Sequence, residues 1–426
     1  MSSLEGHGVE LWEEDGQLRF RGPRGVMTDE RRETLRARKS ELLEYLRGAQ
    51  SVTLTHDAAN AHEPFPLTDI QMSYVLGRRA AFAYSGVGCH AYGELTFATL
   101  DSARVQEVWR KLVLRHDMLR VAIDPAGSQR IRPRVPQIDV AVLDLRGKSA
   151  AVVAAGIDSV RAAMDHKVYP PDAWPLFEVR VTHADDKAVL HLSIDFLIAD
   201  YVSIQLLLDE FSALYHKPDE RLPVLEFTFR DYLLGERRLR GTRQYEKDRE
   251  YWWSRVDSLP PAPDLMVLGD RADSSGGVRF RRSSLQLPTG AYAEFKRLAS
   301  EAGVTPSGAL LTAFAEVIGR WSRRRRFTLN LTMLRRLPLH PQVNRLVGDF
   351  TSALLLEVDS AAAADFTQRA KAVQGQLFSD MDHMLVGGVE VLREVARRRG
   401  QDAALMPVVF TSALGLGTAG DSGSQE

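Results

Sequence analysis

Two aspartates stand close together inside an apolar run of the sequence, IDFLIADYVSIQLLLDEF. Asp195 and Asp200 are groups that could act as acid and base, bind a metal ion or brace a site. A carboxylate buried without a partner is costly, so each needs a cation, a raised pKa or a water molecule beside it. A metal site is disfavoured because hard cations take about six or more oxygen ligands and no third carboxylate lies close to the pair. We expect bracing by arginine and backbone amides.

The elements that must position these residues alternate irregularly along the chain. AVLHLSIDF and FRRSSLQLP (280–288) predict strands, TLDSARVQEVWRKLVLRH predicts an amphipathic helix capped by Asp101, and residues 306–321 predict another helix. No glycine-rich phosphate loop follows a strand, which argues against a doubly wound nucleotide-binding fold. An α+β architecture of two layered lobes is expected, with the proline-rich LPPAPDL as a stiff surface connection between them.

Composition restricts the function classes. The 426 residues carry a net charge of -1, with 44% hydrophobic and 26% charged residues, as in a globular protein that neither binds nucleic acid generally nor enters a membrane. The single cysteine, Cys89, excludes a disulfide within the chain and fits a reducing cytoplasm. There is no HExxH, paired CxxC or GxSxG motif, so zinc and serine-hydrolase chemistry have little support.

The first fifty residues have a different pattern. GVELWEEDG followed by QLRFRGP predicts a hairpin around Asp15-Gly16, and the following pattern predicts a helix that Thr28 caps and that ends near Gly48. So small a unit is marginal alone, and we expect its apolar faces to meet another chain or a second copy. Trp12 and Phe20 could form the core of this unit or, on an open hairpin, capture a partner peptide by strand addition.

Further motifs stand in order around the aspartates. They are PFPLTDIQMSYVLGR (64–78), RHDMLR (115–120), LPPAPDL (259–265), VGDFTS (347–352) and PVVFTSAL (407–414). Together with DFLIADYVS, which contains Asp195, Asp200 and Ser203, this series resembles the DxxxxDxxS signature and flanking motifs of heterocyclization domains of nonribosomal peptide synthetases. The likeness covers most of residues 63–414. The first fifty residues resemble the small N-terminal docking domain described in tubulysin synthetases, with its first helix shortened.

The resemblance implies an α+β fold of two chloramphenicol-acetyltransferase-like lobes in a V arrangement, preceded by a small αββα docking domain. The implied domains are a docking domain over 1–50, a linker over 51–62, an N-terminal lobe over 63–240 and a C-terminal lobe over 241–426. That last lobe would be incomplete, because the family continues into a motif resembling TPQxxLDHQ. Docking would involve Trp12, Arg19, Phe20 and Arg21.

The resemblance also separates bracing from catalysis. Ordinary condensation domains carry HHxxxDG here, and aligning the final aspartate with Asp200 puts Asp195 at the first histidine and Phe196 at the second. Phenylalanine cannot accept a proton, so that side chain is excluded as a general base. Arg336 in LRRLP is the expected partner of Asp200, and Arg335 stands where the family commonly has asparagine.

The implied reaction has two stages. The amine of a carrier-bound cysteine, serine or threonine attacks an upstream acyl thioester to give an amide, and its side chain then attacks that amide and loses water to give a thiazoline or oxazoline. The family assigns proton transfer in the second stage to Thr411 and an aspartate further along, for which Asp421 lacks the matching context. No metal or directly bound cofactor is implied; the phosphopantetheine arms of carrier proteins are substrates.

Several readings stay open at this point. Thr411 and Ser412 could cap a strand end instead of acting on substrate. Asp349, close to Thr351, could fix a turn or line the tunnel for the pantetheine arm. The expected partners are an upstream synthetase terminus, donor and acceptor carrier proteins and a second copy of the chain. The alternative function is a truncated docking module without catalytic activity.

Overall fold

The computed structural model describes residues 10–14, 17–21, 54–78, 87–124, 126–266, 282–360 and 365–414. Strand β1 (Glu10–Glu14) pairs antiparallel with β2 (Gln17–Arg21), with Trp12 opposite Arg19, which confirms the predicted hairpin. Arg19 is exposed. The helix expected after Thr28 and the side chains of Trp12, Phe20 and Arg21 lie outside what the structure describes.

The first lobe contains two sheets and the helices that cover them. Its strands are β3 (Phe65–Pro66), β4 (His90–Phe97), β5 (Val121–Asp124), β6 (Ser128–Ile131), β7 (Ala141–Asp144), β8 (Phe177–His183) and β9 (Ala188–Asp195). Its helices are α1 (Asp69–Gly77), α2 (Ser102–Arg115), α3 (Ala150–Met164), α4 (Tyr201–His216) and α5 (Phe229–Arg238). The larger sheet has the order β4-β9-β8-β7, in which only the β7–β8 pair is parallel, and the smaller sheet has the order β3-β6-β5.

Helix α2 shows why this lobe folds as the sequence indicates. The Asp101 carboxylate accepts hydrogen bonds from the backbone N of Ala103 at 2.9 Å and of Arg104 at 3.2 Å, which caps the helix as predicted. The apolar stripe of α2 is buried, and the Trp109 ring stacks on Phe177 with centroids 5.8 Å apart. Each fully buried aliphatic side chain of such a stripe contributes about 1.5–3 kcal/mol, so the stripe fixes α2 against the sheet.

The second lobe is built around one mixed sheet. Its helices are α6 (Arg243–Trp253), α7 (Thr289–Glu301), α8 (Pro306–Trp321), α9 (Phe366–Met381) and α10 (Gly388–Arg399), and its strands are β10 (Arg326–Leu334), β11 (Thr351–Asp359) and β12 (Val409–Thr411). The sheet order is β11-β10-β12, with β10 antiparallel to β11 and parallel to β12. Helix α8 has the predicted bounds. No single helix of the described residues is long and apolar enough to cross a membrane; α7 and α8 reach that length only as a pair bent by 95°.

Two sequence expectations are wrong. Residues 282–288 form no strand, and Leu285 and Leu287 are 90% and 50% exposed, because no strand in the described part of the chain pairs with their alternating pattern. LPPAPDL is not a surface connection. Leu259 is buried, and the carbonyls of Pro260 and Pro261 accept hydrogen bonds from Thr328 on β10, so this segment lies along the second lobe.

The segment between β10 and β11 joins the two lobes. Its apolar residues Leu337, Leu339, Val343, Leu346, Val347 and Phe350 pack in the core of the first lobe rather than in that of the second. Phe350 lies edge-on to Phe229 and Tyr232 of α5, with ring centroids 5.1 and 4.8 Å apart. The segment therefore crosses the boundary between the lobes, which we call the seam, and its apolar side chains are buried. We call residues 335–350 the crossing segment. The division of the chain at residue 240 stays a prediction.

Gly348 on the crossing segment has no room for a side chain, since a Cβ atom there would lie 2.3 Å from Phe229 Cδ2. We expect Gly348→Ala to lower the free energy of unfolding by about 1–3 kcal/mol through overpacking. Denaturant unfolding at constant m-value measures this. Gly375→Ala on α9, where a Cβ atom meets nothing within 4 Å, is the matched control and should be neutral or stabilising. Equal stability of the two variants would contradict the steric reading.

Candidate functional site

Asp195 ends β9 with its side chain fully buried. Arg78 Nη2 lies 2.6 Å from both carboxylate oxygens, and the backbone N of Leu197 donates to Oδ1 at 2.9 Å. Burial raises the pKa of Asp195, and the Arg78 guanidinium and the Leu197 amide oppose that rise. The sequence reading did not identify Arg78, although it is the last residue of the motif PFPLTDIQMSYVLGR and could have been noticed as a cation inside a mostly apolar segment.

Asp200 occupies a different network. It is the N-cap of α4, where Oδ1 accepts a hydrogen bond from the backbone N of Ser203 at 2.7 Å. Arg336 Nη2 donates to Oδ1 at 2.9 Å, as the sequence reading expected, and the backbone N of Phe350 donates to Oδ2 at 3.3 Å. The Arg336 guanidinium also lies 4.0 Å from the Phe350 ring centroid. The two aspartates therefore do not form a pair with each other; each has its own arginine.

Ser203 extends this network to the backbone of the crossing segment. Its hydroxyl donates to the carbonyl O of Gly348 at 2.8 Å and accepts from the backbone N of Gly348 at 3.0 Å. The backbone N of Asp200 donates to the same Gly348 carbonyl at 3.0 Å. We call Asp200, Ser203 and Arg336 the latch, since together they fix the crossing segment to the start of α4.

Asp349 follows the glycine that the latch holds. Its Oδ1 accepts from the backbone N of Thr351 at 3.1 Å, which is the turn interaction that the sequence left open. The carboxyl is completely buried, and among the described residues no donor is hydrogen-bonded to Oδ2. Burial raises the pKa of Asp349 to about 7, against the lowering effect of the Thr351 side chain. A buried polar atom without a partner is uncommon and calls for a functional explanation.

A phenol and a thiol lie beside this carboxyl. The Tyr74 hydroxyl of α1 interacts with the side chains of Cys89 and Thr351, and burial raises the pKa of Tyr74. Burial also raises the pKa of Cys89 to about 11, and its carbonyl accepts a hydrogen bond from the backbone N of Phe196 at 3.0 Å. The sequence reading missed Tyr74, which no local pattern distinguishes from an ordinary core tyrosine.

Thr411 lies on the sheet of the second lobe, on the exposed edge strand β12. Its hydroxyl donates to the Thr332 hydroxyl at 2.9 Å, so both side chains project from the same face of the sheet. Ser412 points elsewhere, because its hydroxyl lies 2.9 Å from that of Ser307 on α8. The structure therefore brings Thr411 into a hydroxyl pair and separates it from Ser412.

A small cavity of about 60 Å³ lies at the seam between the lobes. Thr68, Asp349, Thr351 and Arg335 contribute to its lining, and Arg335 is paired with Glu236 of α5. The cation at position 335 is thus neutralised within the cavity wall instead of being presented to a ligand as a bare charge. Among the residues that the structure describes, no cluster of three histidine, cysteine, aspartate or glutamate side chains could hold a metal ion.

Two α+β lobes that are joined by a buried crossing segment are the arrangement of a condensation domain. The condensation-domain family model matches residues 65–416, and the model of the TubC N-terminal docking domain matches residues 1–48. The chain belongs to the condensation-domain family, with a docking domain in front. The resemblance read from the motifs and the α+β fold of chloramphenicol-acetyltransferase-like lobes are confirmed.

The chain is similar to several named proteins that contain such a domain. The chain is 43% identical to pyochelin synthetase PchF of Pseudomonas aeruginosa, over 96% of this chain and 22% of PchF. It is 38% identical to phenyloxazoline synthase MbtB of Mycobacterium tuberculosis, over 83% of this chain and 25% of MbtB. It also resembles the solved cyclization-docking bidomain of the nonribosomal peptide synthetase EpoB from Sorangium cellulosum, with 39% identity, a TM-score of 0.81, and coverage of 97% of this chain and 83% of that one. The chain spans about a quarter of the length of PchF and MbtB.

Breaking the latch should destabilise the protein. We expect Asp200→Asn to lower the free energy of unfolding by about 3–5 kcal/mol, because the buried Arg336 loses its counter-charge while the helix cap is kept. Thermal and denaturant unfolding measure the loss. Asp365→Asn is the matched control, since Asp365 caps the equally long helix α9 but is exposed. An unchanged melting temperature together with lost activity would count against bracing.

The pKa of Asp349 gives a stability prediction with a definite sign. Its pKa of about 7 in the folded protein lies above the ordinary value of 3.8, so the folded protein binds this proton more tightly than the unfolded chain. The stability of the natural protein relative to Asp349→Asn should therefore be greatest near pH 4 and fall by a few kcal/mol as the pH rises to 7, at about 1.4 kcal/mol per pKa unit. Parallel stability curves for the two proteins over this range would contradict the assignment.

Proposed function

We propose that this chain is the heterocyclization part of a nonribosomal peptide synthetase, which joins a carrier-bound cysteine, serine or threonine to an upstream acyl thioester and then closes a five-membered ring. The observation that carries the proposal is the arrangement of the DxxxxDxxS element. Asp195 and Asp200 are each neutralised by a buried arginine, and Phe196 occupies the position of the second histidine. This arrangement suits a site in which the aspartates brace and other groups move protons.

The first stage forms an amide. The amine nitrogen of the acceptor attacks the thioester carbonyl, the carbon–sulfur bond breaks, and the nitrogen loses one proton while the departing thiolate gains one. The side chain of Phe196 cannot act as a base, so the amine proton must pass to another group.

The second stage closes the ring. The acceptor's thiol or hydroxyl adds to the amide carbonyl, and the resulting hydroxyl leaves as water when its oxygen is protonated and the nitrogen proton is removed. Thr411 is an exposed residue and its hydroxyl is hydrogen-bonded to Thr332, so the hydroxyl can accept one proton and donate another at the departing oxygen. We propose Thr411 as the catalytic residue of this stage, and Ser412 as a residue of the same motif that packs against α8.

The substrates and partners follow from the same proposal. Phosphopantetheine arms would bring the donor and the acceptor into the seam, from two carrier proteins. The β1–β2 hairpin would bind the C-terminus of an upstream synthetase by strand addition, with Arg19 exposed at its surface, and a second copy of the chain could share this contact.

A second candidate is an interaction module without catalytic activity. It is favoured by one observation: the Thr411 hydroxyl donates to another hydroxyl rather than to a carboxylate that could carry its proton away. An assay with loaded carrier proteins, read by product mass, separates the two candidates. The enzyme produces the amide and its dehydrated form, whereas the module binds carriers and produces neither.

Thr411→Ala tests whether Thr411 acts in the ring-closing stage and not in the amide-forming stage. We expect amide formation to continue while dehydration slows by about 10²–10⁴-fold, the usual contribution of a positioned proton donor. The ratio of uncyclised to dehydrated product measures the effect. Ser307→Ala removes a hydroxyl on α8 and should leave both stages intact. Loss of amide formation in Thr411→Ala would contradict this role.

A further inference from the structure

Thr351 and Thr411 face the same side of the second lobe's sheet. Thr332 on β10 is in register with Thr411 on one side and with Ala353 on the other, and Leu334, two residues further along β10, is opposite Thr351. Residues opposite each other and residues two apart share a face, so the hydroxyls of Thr332, Thr411 and Thr351 project together. Two strand spacings and one two-residue step separate the Cα atoms of Thr351 and Thr411 by roughly 12 Å.

The hydroxyls of Thr351, Thr332 and Thr411 form a row, and Asp349 lies two residues before Thr351 at one end of it. Its position is fixed from both sides, because the latch holds the backbone of Gly348 and of Phe350. Its Oδ1 is engaged by the Thr351 backbone, while among the described residues Oδ2 has no hydrogen-bond donor and the side chain contributes to the lining of the seam cavity. The turn engages one oxygen of the carboxyl, and the hydroxyls of Thr351 and Thr68, which lower its pKa, are its other polar neighbours.

The Thr351 end of the row also lies near Phe196. Tyr74 interacts with Thr351 on one side and with Cys89 on the other, and the Cys89 carbonyl is hydrogen-bonded to the backbone N of Phe196. Asp349 is thus connected through Thr351, Tyr74 and Cys89 to the position where a side-chain base is missing, whereas Thr411 is at the far end of the row.

We propose that Thr351 and Asp349 form a hydroxyl–carboxylate pair that receives the amine proton in the amide-forming stage. This inference rests on the proposed function. As the nitrogen–carbon bond forms, the Thr351 hydroxyl takes the proton from nitrogen and passes its own to the Asp349 carboxylate. When the carbon–sulfur bond breaks, the proton returns along the same path to the departing thiolate, so the pair ends each turnover unchanged. Thr351 is the catalytic residue of the pair and Asp349 is a positioning residue, since it acts through the hydroxyl.

The charged surroundings of Asp349 suit a group that changes its protonation near neutral pH. Burial and the nearby charge of Asp200 raise the pKa of Asp349, while Thr351 and Thr68 lower it, with a net value of about 7. The titratable and charged side chains around the carboxyl and the seam cavity are Asp200, Tyr74, Cys89, Asp69, Glu236, Arg237, Arg240 and Arg335. Two of these groups form ion pairs with compensating charge: Asp200 is neutralised by Arg336, and Arg335 is paired with Glu236.

The test measures single-turnover amide formation between loaded carrier proteins from pH 6 to 9. It uses the natural protein, Asp349→Asn, which keeps an acceptor for the Thr351 amide, and Thr351→Val, which removes only the hydroxyl. We expect both variants to form amide at least 10²-fold more slowly at pH 8, and the ratio of natural to variant rates to rise through pH 7 and then level off. Dehydration of a preformed amide substrate should be unchanged.

Asp248→Asn is the matched control. Asp248 is a buried acid of the second lobe, where burial raises its pKa to about 6, and it accepts hydrogen bonds from Gln244 and from the backbone N of Leu385. Its substitution should leave the rate and the pH profile of amide formation within about twofold of the natural protein. Melting temperatures identify any variant that is poorly folded.

The outcomes are distinct. If the natural protein forms no amide, the proposed function fails and the inference fails with it. If the natural protein is active and folded Thr351→Val or Asp349→Asn retains its rate, the inference alone is wrong and Asp349 only fixes a turn. A slower Asp349→Asn whose rate keeps the natural pH profile would equally overturn the inference, because a purely structural residue would behave in that way.

Discussion

The ion pair between Arg336 and Asp200 sets the path of the chain across the seam. Its guanidinium reaches back from the crossing segment to the N-cap of α4 and also donates to the carbonyls of Val343 and Leu346. A buried ion pair adds little net stability compared with apolar packing, but losing one partner leaves a bare charge in the interior. The pair therefore acts mainly as a constraint on geometry. This ion pair determines where Gly348 lies beside Ser203. It therefore also determines the positions of Asp349 and of the start of β11.

The buried aspartates near the seam differ in how their carboxyl groups are bound. Asp195 and Asp200 are each bound by a guanidinium and by backbone amides, so both carboxylates are already engaged within the protein. Asp349 is equally buried, but among the described residues its Oδ2 makes no hydrogen bond, and burial raises its pKa to about 7 although the Thr351 and Thr68 side chains lower it. We therefore propose that protons are transferred at the hydroxyl-bearing face of the second lobe's sheet and not at the aspartate motif.

Local physics explains which features could be predicted from the sequence. The cap and apolar stripe of α2, the bounds of α8 and the need of Asp200 for an arginine follow from periodicity and from the cost of burying charge. Arg78 was not predicted because its partner is 117 residues away, and nothing local shows which cation meets which acid. The unengaged oxygen of Asp349 arises only when the two lobes meet. The strand expected at 280–288 failed because alternation reports a surface pattern and not the presence of a neighbouring strand.

The close contact between Gly348 and the ring of Phe229 links two positions that are far apart in the chain. The latch prevents the backbone at 348 from retreating, and the ring is held in turn by Phe350. Any descendant that gained a side chain at 348 would have to shrink residue 229 in compensation. The two sites should therefore have drifted as a correlated pair during the divergence of the lineage, although neither one bears a chemically reactive group.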